Sequence, residues 1–260
     1  MPEGVEIELY RRTADQAVGR RIASVDTPDE WYLKEGTSPD EVAAACVGAE
    51  VIATRRIGKL LLLDLSSGHV LGLRFGMTGR LIVDGTASIE YLEYSSTRDD
   101  PAWDRFVIHF ADEGSLRIRD PRRLGGVVID PDESRLGADA FTIDAERLRA
   151  RVLVGDVALK ARLLDQQRIA GIGNLIADET LWRARLDPAR PARSLDDVEA
   201  ERLLATLHEV LGDFVRDGGS HTGVLMSARA RGAHCPRCGT ELDRRTIGGR
   251  TTFSCPREQV

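Results

Sequence analysis

The chain has 260 residues, of which 42% are hydrophobic and 30% are charged, with a formal net charge of −6 and a pI near 5.5. That length is sufficient for one large domain or for two to three small ones. The acidic net charge disfavours binding to a polyanion, such as a nucleic acid, except through a locally basic surface. No apolar run reaches the length of a membrane span, and the first residues are acidic rather than those of a signal peptide, so we expect a cytoplasmic protein.

The first six residues, MPEGVE, combine helix-start signals with groups that can act chemically. Apolar residues recur at helical spacing and predict a helix here: Ile7, Tyr10, Ala14 and Val18. Removal of Met1 would leave Pro2 as a secondary amine, and α-amino groups, whose ordinary pKa is about 7.7–8.0, are partly unprotonated at neutral pH. Such an amine can attack an electrophilic carbon and form an iminium ion, with Glu3 and Glu6 close by to move protons. A plain helix start, with proline and acids in its first turn, explains the same residues.

Short strands dominate the chain up to about residue 130. Residues 38–46 are the exception, because Ser38 and Glu41 have the spacing of a capping box that opens a helix ending at Cys46. The other apolar stretches have strand length and lie between Gly, Ser and Asp breaks: residues 22–27, 51–55, 60–65, 70–73, 81–84, 105–110, 115–119 and 127–129. Many short strands with turn signals predict a β-sandwich.

Beyond an acidic linker at residues 131–139, the sequence predicts a helical bundle. Asp144 caps a helix that runs to about Val152, a second helix spans residues 157–164, and the clearest helix runs from Ser194 to residue 216 before Gly218 and Gly219. The apolar face of that last helix has helical spacing: Val198, Leu203, Leu207, Val210, Leu211 and Phe214.

The stretch LLDQQRIAGIGNLIADETL, at residues 163–181, joins two of these helices. Gly171 and Gly173 permit a tight turn, and Asn174 lies where the second helix should start, a position that favours Asn. Unbonded N–H groups at a helix start attract an anion, which predicts a phosphate-binding turn. A helical hairpin with a glycine turn fits the pattern equally well.

The words LLDQ, AGIGN and ADE in this stretch closely resemble the helix–two-turns–helix segment of the formamidopyrimidine-DNA glycosylase and endonuclease VIII family, base-excision repair enzymes that remove oxidised bases. The family also begins with proline, its nucleophile, and glutamate, its acid. The resemblance therefore implies catalytic roles for Pro2 and Glu3, with Glu6 as a candidate proton shuttle. It also implies an α+β fold in three domains: an N-terminal β-sandwich with an N-terminal helix at residues 1–132, a helix–two-turns–helix domain at 133–222, and a zinc-finger-like β-hairpin at 223–260.

Further roles carry over from the family residue by residue. Lys59 falls where the family has a turn lysine that touches the DNA backbone near the flipped nucleotide, and we count it with the catalytic residues. Met77, in the turn FGMTG, matches a methionine that enters the gap left by the extruded base. Arg122 matches the arginine that pairs with the orphaned base. Leu124 replaces the family's wedging phenylalanine, although leucine keeps the bulk of a wedge. The two remaining matches, which hold phosphates, are Asn174 and Arg250.

Three of the four cysteines, Cys235, Cys238 and Cys255, crowd the C-terminus as metal ligands do. Glu258 stands three residues after Cys255, where a second Cys-x2-Cys pair would have its last cysteine. Three thiolates and a carboxylate can bind Zn²⁺, so we expect a structural zinc ion, with His234 as the other candidate for the fourth ligand. A hairpin that folds without metal is the alternative. Arginines exceed acids in this tail, as DNA backbone contact requires: Arg229, Arg231, Arg237, Arg244, Arg245, Arg250 and Arg257.

The resemblance runs along the whole chain and predicts a DNA glycosylase with abasic-site β/δ-elimination lyase activity. We expect a monomer that acts on damaged double-stranded DNA at the nucleoid, without a membrane partner. Residues 220–234 lack the glycine-rich loop that covers an everted purine in many members, so the cap should be short or absent. The altered wedge, the missing cap and Glu258 favour an alternative, a damage-binding protein of the same fold that excises nothing. A zinc-ribbon protein for other nucleic acid is a third reading, which leaves the N-terminus unexplained.

Overall fold

The computed structural model describes residues 2–89, 98 and 100–260, which divide into two compact units. The first unit consists of Met1–Pro2 with Glu6–Glu133, and the second of Glu3–Val5 with Ser134–Val260. Within the described ranges, no helix combines the length and the apolar character needed to cross a membrane.

Two helices precede the second strand. Helix α1 (Gly4–Ala14) buries Ile7, Tyr10 and Ala14, as their spacing predicted. Placing Val18 on that face was wrong, because the helix ends in a 3-10 turn at Asp15–Ala17 and Val18 is extended and 41% exposed. Helix α2 (Pro39–Cys46) begins with the predicted capping box, in which the Ser38 and Glu41 side chains each bind the other's backbone N–H.

Eight strands occur in the described part of the first unit, each within two residues of its predicted bounds: β1 (Ile22–Asp26), β2 (Val51–Ile57), β3 (Leu60–Leu65), β4 (Val70–Arg74), β5 (Arg80–Val83), β6 (Asp104–Phe110), β7 (Ser115–Arg119) and β8 (Gly126–Ile129). They pair antiparallel into two sheets, with the orders β2-β3-β4-β8 and β1-β6-β7-β5. Both sheets contribute to a single core, which includes Leu61 and Leu73 of the first sheet and Phe106 and Ile118 of the second. The predicted sandwich is therefore confirmed.

The second unit is mainly helical. Its elements are β9 (Ala138–Asp139), α3 (Ala145–Arg147) with a following π-helical turn at Leu148–Val152, α4 (Leu159–Leu164), β10 (Ile169–Ala170), α5 (Asn174–Arg183), α6 (Asp197–Asp217), β11 (Asp243–Ile247) and β12 (Arg250–Ser254). Strands β9 and β10 pair in parallel, and β11 and β12 form the predicted antiparallel hairpin. One core joins the helices, and a smaller one lies around Trp182, Phe253 and two of the cysteines.

The long helix α6 begins two residues later than the sequence suggested. Asp196, not Ser194, is its cap, because the Asp196 side chain accepts the Glu199 N–H and the Glu199 side chain accepts the Asp196 N–H. Val198 consequently lies outside the buried face and is 69% exposed. The predicted end is confirmed, since Gly218 terminates the helix with a φ of +96° that favours glycine.

Candidate nucleic-acid interface

The residue after the predicted nucleophile is bound to the start of helix α5. Pro2 is buried and directly precedes Glu3. The Glu3 carboxylate, 1% exposed, accepts hydrogen bonds from the Leu175 N–H at 2.9 Å and the Ile176 N–H at 3.0 Å. Amide groups at a helix N-terminus stabilise an anion, so this position favours the ionised form of the carboxylate and fixes its orientation.

This contact corrects part of the sequence interpretation of the glycine turn. Asn174 is the first residue of α5 rather than its cap, and two of the N–H groups expected to face a phosphate are bound by Glu3. Gly173 permits the approach, because a Cβ there would lie 2.1 Å from the Glu3 carboxyl carbon. A phosphate held at this turn would therefore be bound mainly through side chains.

The Asn174 side chain contacts strand β12. Its Nδ2 donates to the Thr251 carbonyl at 3.1 Å, and its Oδ1 is buried without a hydrogen-bond partner among the described residues. Arg250, the neighbour of Thr251, is exposed where β12 follows a turn of two glycines with positive φ, Gly248 and Gly249. The second unit thus brings the two predicted phosphate ligands, Asn174 and Arg250, to neighbouring positions.

A buried ion-pair cluster, which the sequence analysis missed, holds β12 in place. Lys160 Nζ is fully buried, lies 2.6 Å from Asp178 Oδ1 and donates to Thr252 Oγ1 at 2.7 Å. Arg229 forms a second ion pair with Asp178. Burial lowers the pKa of Lys160, and the Asp178 carboxylate opposes that shift. The signal available in the sequence was a lysine, rare in this chain, between the leucines of a short helix.

In the first unit, Asp120 ties together the two loops that carry the predicted gap-filling residues. Its buried carboxylate accepts a hydrogen bond from Thr78 Oγ1 at 2.5 Å, next to Met77. It also accepts the Gly125 N–H at 2.8 Å and the Arg122 N–H at 3.2 Å in the loop after β7. One side chain therefore fixes the spacing of both loops.

The same two loops touch through their backbones. A Cβ on Gly76, in the Met77 turn, would lie 2.4 Å from the Leu124 carbonyl carbon. Met77 is half-buried, Arg122 is exposed, and Leu124 is 50% exposed. The structure thus brings these three predicted residues together on adjoining loops, with the Leu124 side chain available to a partner.

Lys59 lies in the tight turn between β2 and β3, beside Gly58 with a φ of +57°. Arg56, 7% exposed, supports this turn, since its Nη1 donates to the Gly58 carbonyl at 3.2 Å and its Nε to Glu8 Oε2 at 3.4 Å. Glu6 is 3% exposed within α1. The roles of Lys59 and Glu6 stay predictions.

Between α6 and the cysteines the chain forms two 3-10 turns, Ser220–Thr222 and Leu225–Ala228. The Glu179 carboxylate of α5 accepts the Val224 N–H at 3.3 Å and the Leu225 N–H at 2.9 Å. This segment is held against α5, and the expected shortness or absence of a lesion cap stays a prediction.

The cysteines Cys235, Cys238 and Cys255 form a candidate metal centre. Their sulfur atoms all lie within 4.8 Å of one another, and the Cys238–Cys255 separation is 3.5 Å. Ligand sulfurs around a tetrahedral zinc ion lie about 3.8 Å apart, so this cluster fits the ion. Hydrogen bonding with Thr240 lowers the pKa of Cys238 to about 7, whereas burial raises that of Cys255 to about 11.

Among the described residues, no fourth candidate metal ligand joins this cluster. The Glu258 carboxylate instead pairs with Arg237 at 3.4 Å and Arg185 at 3.6 Å. His234 bridges by its backbone to Glu241 and is also absent from the cluster. A carboxylate ligand would have to exchange at least part of these ion pairs for the metal.

The comparison with known families decides the class of the protein. The sequence model of the formamidopyrimidine-DNA glycosylase N-terminal domain matches residues 1–127, and that of the H2TH domain of the same enzyme matches residues 131–225. The chain belongs to this family. Both the family and the α+β fold that the sequence predicted are confirmed.

Relatives over the full length support the assignment. The formamidopyrimidine-DNA glycosylase of Salinispora arenicola is 33% identical over 100% of this chain and 96% of its own. That of Carboxydothermus hydrogenoformans is 34% identical over 98% of each. Among solved structures, the Lactococcus lactis Fpg bound to DNA with an abasic site has a TM-score of 0.82 at 23% identity, covering 99% of both chains. At that identity the likeness establishes the fold.

Proposed function

We propose that this protein is a base-excision repair DNA glycosylase that also cleaves the resulting abasic site through a Schiff base on Pro2. Family membership establishes the glycosylase class, as the sequence predicted. The observation that carries the finer proposal is the position of Glu3, because the residue next to Pro2 is held by the helix that begins with Asn174. Glu3 directly follows the nucleophile Pro2, and its carboxylate binds the helix whose first residue, Asn174, is a proposed phosphate ligand.

The reaction starts from DNA in which the damaged nucleotide has been flipped out, since its sugar is inaccessible within the stack. The neutral Pro2 nitrogen forms a bond to the sugar C1′ as the glycosidic bond breaks, and the base leaves with the bonding pair and a proton. Glu3, which first takes the proton of the amine, supplies that proton, and Glu6 is the further shuttle candidate.

Strand cleavage follows from the iminium ion. The Pro2 nitrogen, once bonded to C1′, loses its N–H proton and O4′ gains one, with Glu3 or Glu6 as the shuttle, so the C1′–O4′ bond breaks and leaves a positive C=N bond next to C2′. A C2′ proton is then lost and the 3′-phosphate leaves with its bonding pair. A second elimination releases the 5′-phosphate, and water then hydrolyses the iminium and frees Pro2. Lys59, in the turn proposed to contact the DNA backbone, would stabilise the negative charge of these phosphates.

Two groups of residues would hold the DNA. Asn174, whose side chain bonds the carbonyl of Thr251, and Arg250, the residue before Thr251, would bind phosphates, which position the duplex without reading its sequence. The second group, fixed by Asp120 on adjoining loops, would fill the gap left by the flipped nucleotide: Met77, Arg122 and Leu124. Such a protein would act as a monomer on damaged double-stranded DNA at the nucleoid.

The C-terminal hairpin would be stabilised by one Zn²⁺ ion. Cys235, Cys238 and Cys255 supply three thiolates, and Glu258 is the proposed fourth ligand in place of its arginine partners. The ion would fold the hairpin that carries Arg250 and has no part in the chemistry. We also propose three domains, at residues 1–132, 133–222 and 223–260.

A damage-binding protein without excision is the second candidate. Two observations favour it: Leu124 stands exposed where the family has a stacking aromatic residue, and Glu258 is engaged in ion pairs where the family has a cysteine. It would keep the phosphate and gap contacts and lose only the covalent step.

Borohydride trapping on DNA with an abasic site separates the two candidates. The reagent reduces the iminium to a stable amine, so the wild-type protein should become linked to DNA. Pro2→Gly and an N-terminal extension should both prevent linkage, and proteolytic removal of the extension should restore it. No linked product with wild-type protein whose N-terminus is confirmed as Pro2 would leave the binding candidate.

A further inference from the structure

Trp31 has an exposure that its chemistry does not favour. It is 67% exposed, whereas every other Phe, Tyr and Trp among the described residues is half-buried or buried. A tryptophan buries a large apolar area when it packs, so an exposed one beside a binding surface is a candidate contact.

Residues on both sides of Trp31 are bonded to the loop after β7 and to strand β8. Asp29 receives two hydrogen bonds of 2.6 Å from the Arg123 guanidinium, and the Tyr32 hydroxyl lies 3.3 Å from Asp120 Oδ2. Lys34 N–H donates to the Val127 carbonyl at 2.9 Å. These anchors place Trp31 beside the loop that carries Arg122 and Leu124.

The ring of Trp31 is also held from one side. Lys34 Nζ lies 4.2 Å from the ring centroid and donates a hydrogen bond to the Trp31 carbonyl. A cation over one ring face restricts the side chain, while the 67% exposure leaves much of the ring accessible. A restricted aromatic ring loses little entropy when a base stacks on it.

We propose that Trp31 is a stacking platform for an unpaired base of the strand opposite the damaged nucleotide. This inference rests on the proposed function, in which Arg122 and Leu124 enter the duplex from the neighbouring loop. Leu124 offers bulk without a π face, and Trp31 supplies the aromatic surface beside it. Stacking on aromatic side chains tolerates any base, so the platform favours DNA whose opposite strand is unpaired, such as a bubble, over fully paired DNA.

The test compares binding of the full chain to two DNAs that carry the same abasic-site analogue. In one DNA the opposite strand is paired on both sides of the site, and in the other it forms a small bubble. Trp31→Ala should weaken bubble binding by roughly tenfold, the effect expected of one stacked base, and weaken paired binding less. Trp31→Phe should keep most of the affinity, and neither change should alter the slope of log affinity against log salt, since no charge is removed.

Fluorescence gives a second reading of the same contact. Trp103 is half-buried and Trp182 is buried, so Trp31 should account for most of the quenching when bubble DNA binds, and Trp31→Phe should remove it. Ile52→Ala is the matched control, because Ile52 is 53% exposed on β2 and lies about 17 Å along the strand from Ile57, the last residue before the Lys59 turn. It should bind both DNAs as the wild type does.

The inference is overturned if Trp31→Ala binds bubble DNA as tightly as the wild type, or if it weakens both DNAs equally. Borohydride trapping in the same proteins separates this failure from that of the proposed function. If the proteins are trapped but Trp31→Ala binds bubble DNA as tightly as the wild type, only the stacking role of Trp31 is refuted. If Trp31→Ala selectively loses affinity for bubble DNA but the wild type is not trapped, only the covalent step is refuted and the stacking role of Trp31 is supported.

Discussion

Asp120→Asn tests whether one buried carboxylate positions both gap-filling loops. Oδ1 accepts Thr78 Oγ1 and the Arg122 N–H, and Oδ2 accepts the Gly125 N–H and lies near the Tyr32 hydroxyl. An asparagine NH2 group must replace one of these oxygens. The hydroxyl on that side can rotate to accept a hydrogen bond, but the backbone N–H cannot.

The magnitude follows from this count. Either orientation leaves one backbone N–H facing a donor, which costs about 1.5–3 kcal/mol for the lost bond to a charged group. The remaining bonds also lose their charge assistance, so local opening of the loop should become easier by about 3 kcal/mol. Amide exchange around Gly125 should then accelerate on the order of a hundredfold.

Hydrogen exchange followed by mass spectrometry of the peptide after β7 measures this change without assuming that the two units unfold together. Asp112→Asn is the control, because Asp112 pairs with Arg20 at an exposed position of the same unit and its loss should leave this peptide unchanged. Processing of lesion DNA should also fall in Asp120→Asn. Unchanged exchange in that variant, or equal acceleration in the control, would refute the positioning role.

Three further results are expected. Arg250→Ala should reduce the slope of log affinity against log salt by about 0.9 on duplex DNA, because one charge that displaces counterions is removed. Asn174→Ala should lower the affinity with the slope unchanged. Identical salt titrations for the wild type and Arg250→Ala would exclude a phosphate contact of Arg250. Glu258→Cys should hold zinc more tightly against a chelator, because thiolate is the softer ligand, with Glu241→Cys as control. Arg123 holds the pKa of Asp29 below its usual range, so the stability that this pair adds is present above about pH 4 and is lost as pH falls through the lowered pKa. The difference in guanidinium midpoint between wild type and Asp29→Asn should shrink over that acid range, and a constant difference would contradict it.

The strands of the first unit were predictable because their signals are local. β3 and β7 were placed at their observed bounds, since each apolar run ends at residues that favour turns. Ser38 and Glu41 gave the start of α2 for the same reason, since both halves of a capping box lie within one helical turn. Val18 and Ser194 were misplaced because helix ends depend on competing caps, and apolar spacing alone does not reveal where a helix stops.

The contacts between distant parts of the sequence were not predictable from patterns. Glu3 and the start of α5 are separated by more than 170 positions, and the sequence assigned the N–H groups of that helix to a phosphate because nothing local showed a competing carboxylate. Lys160 and Asp178 each read as an ordinary charged residue on a helix until the fold buries them together. Nothing in the sequence around Arg122 indicated a role for Asp120, whose four partners come from three separate segments.

The central claim is that the Pro2 nitrogen forms the covalent bond to the damaged nucleotide. Its most direct test is peptide mapping of the protein trapped by borohydride on abasic-site DNA, after digestion of both the protein and the DNA. We predict that the added mass of the sugar remnant is found on the N-terminal peptide, at Pro2, in protein from which Met1 has been removed. A remnant on Lys59 or Lys160, with Pro2 unmodified, would contradict the account.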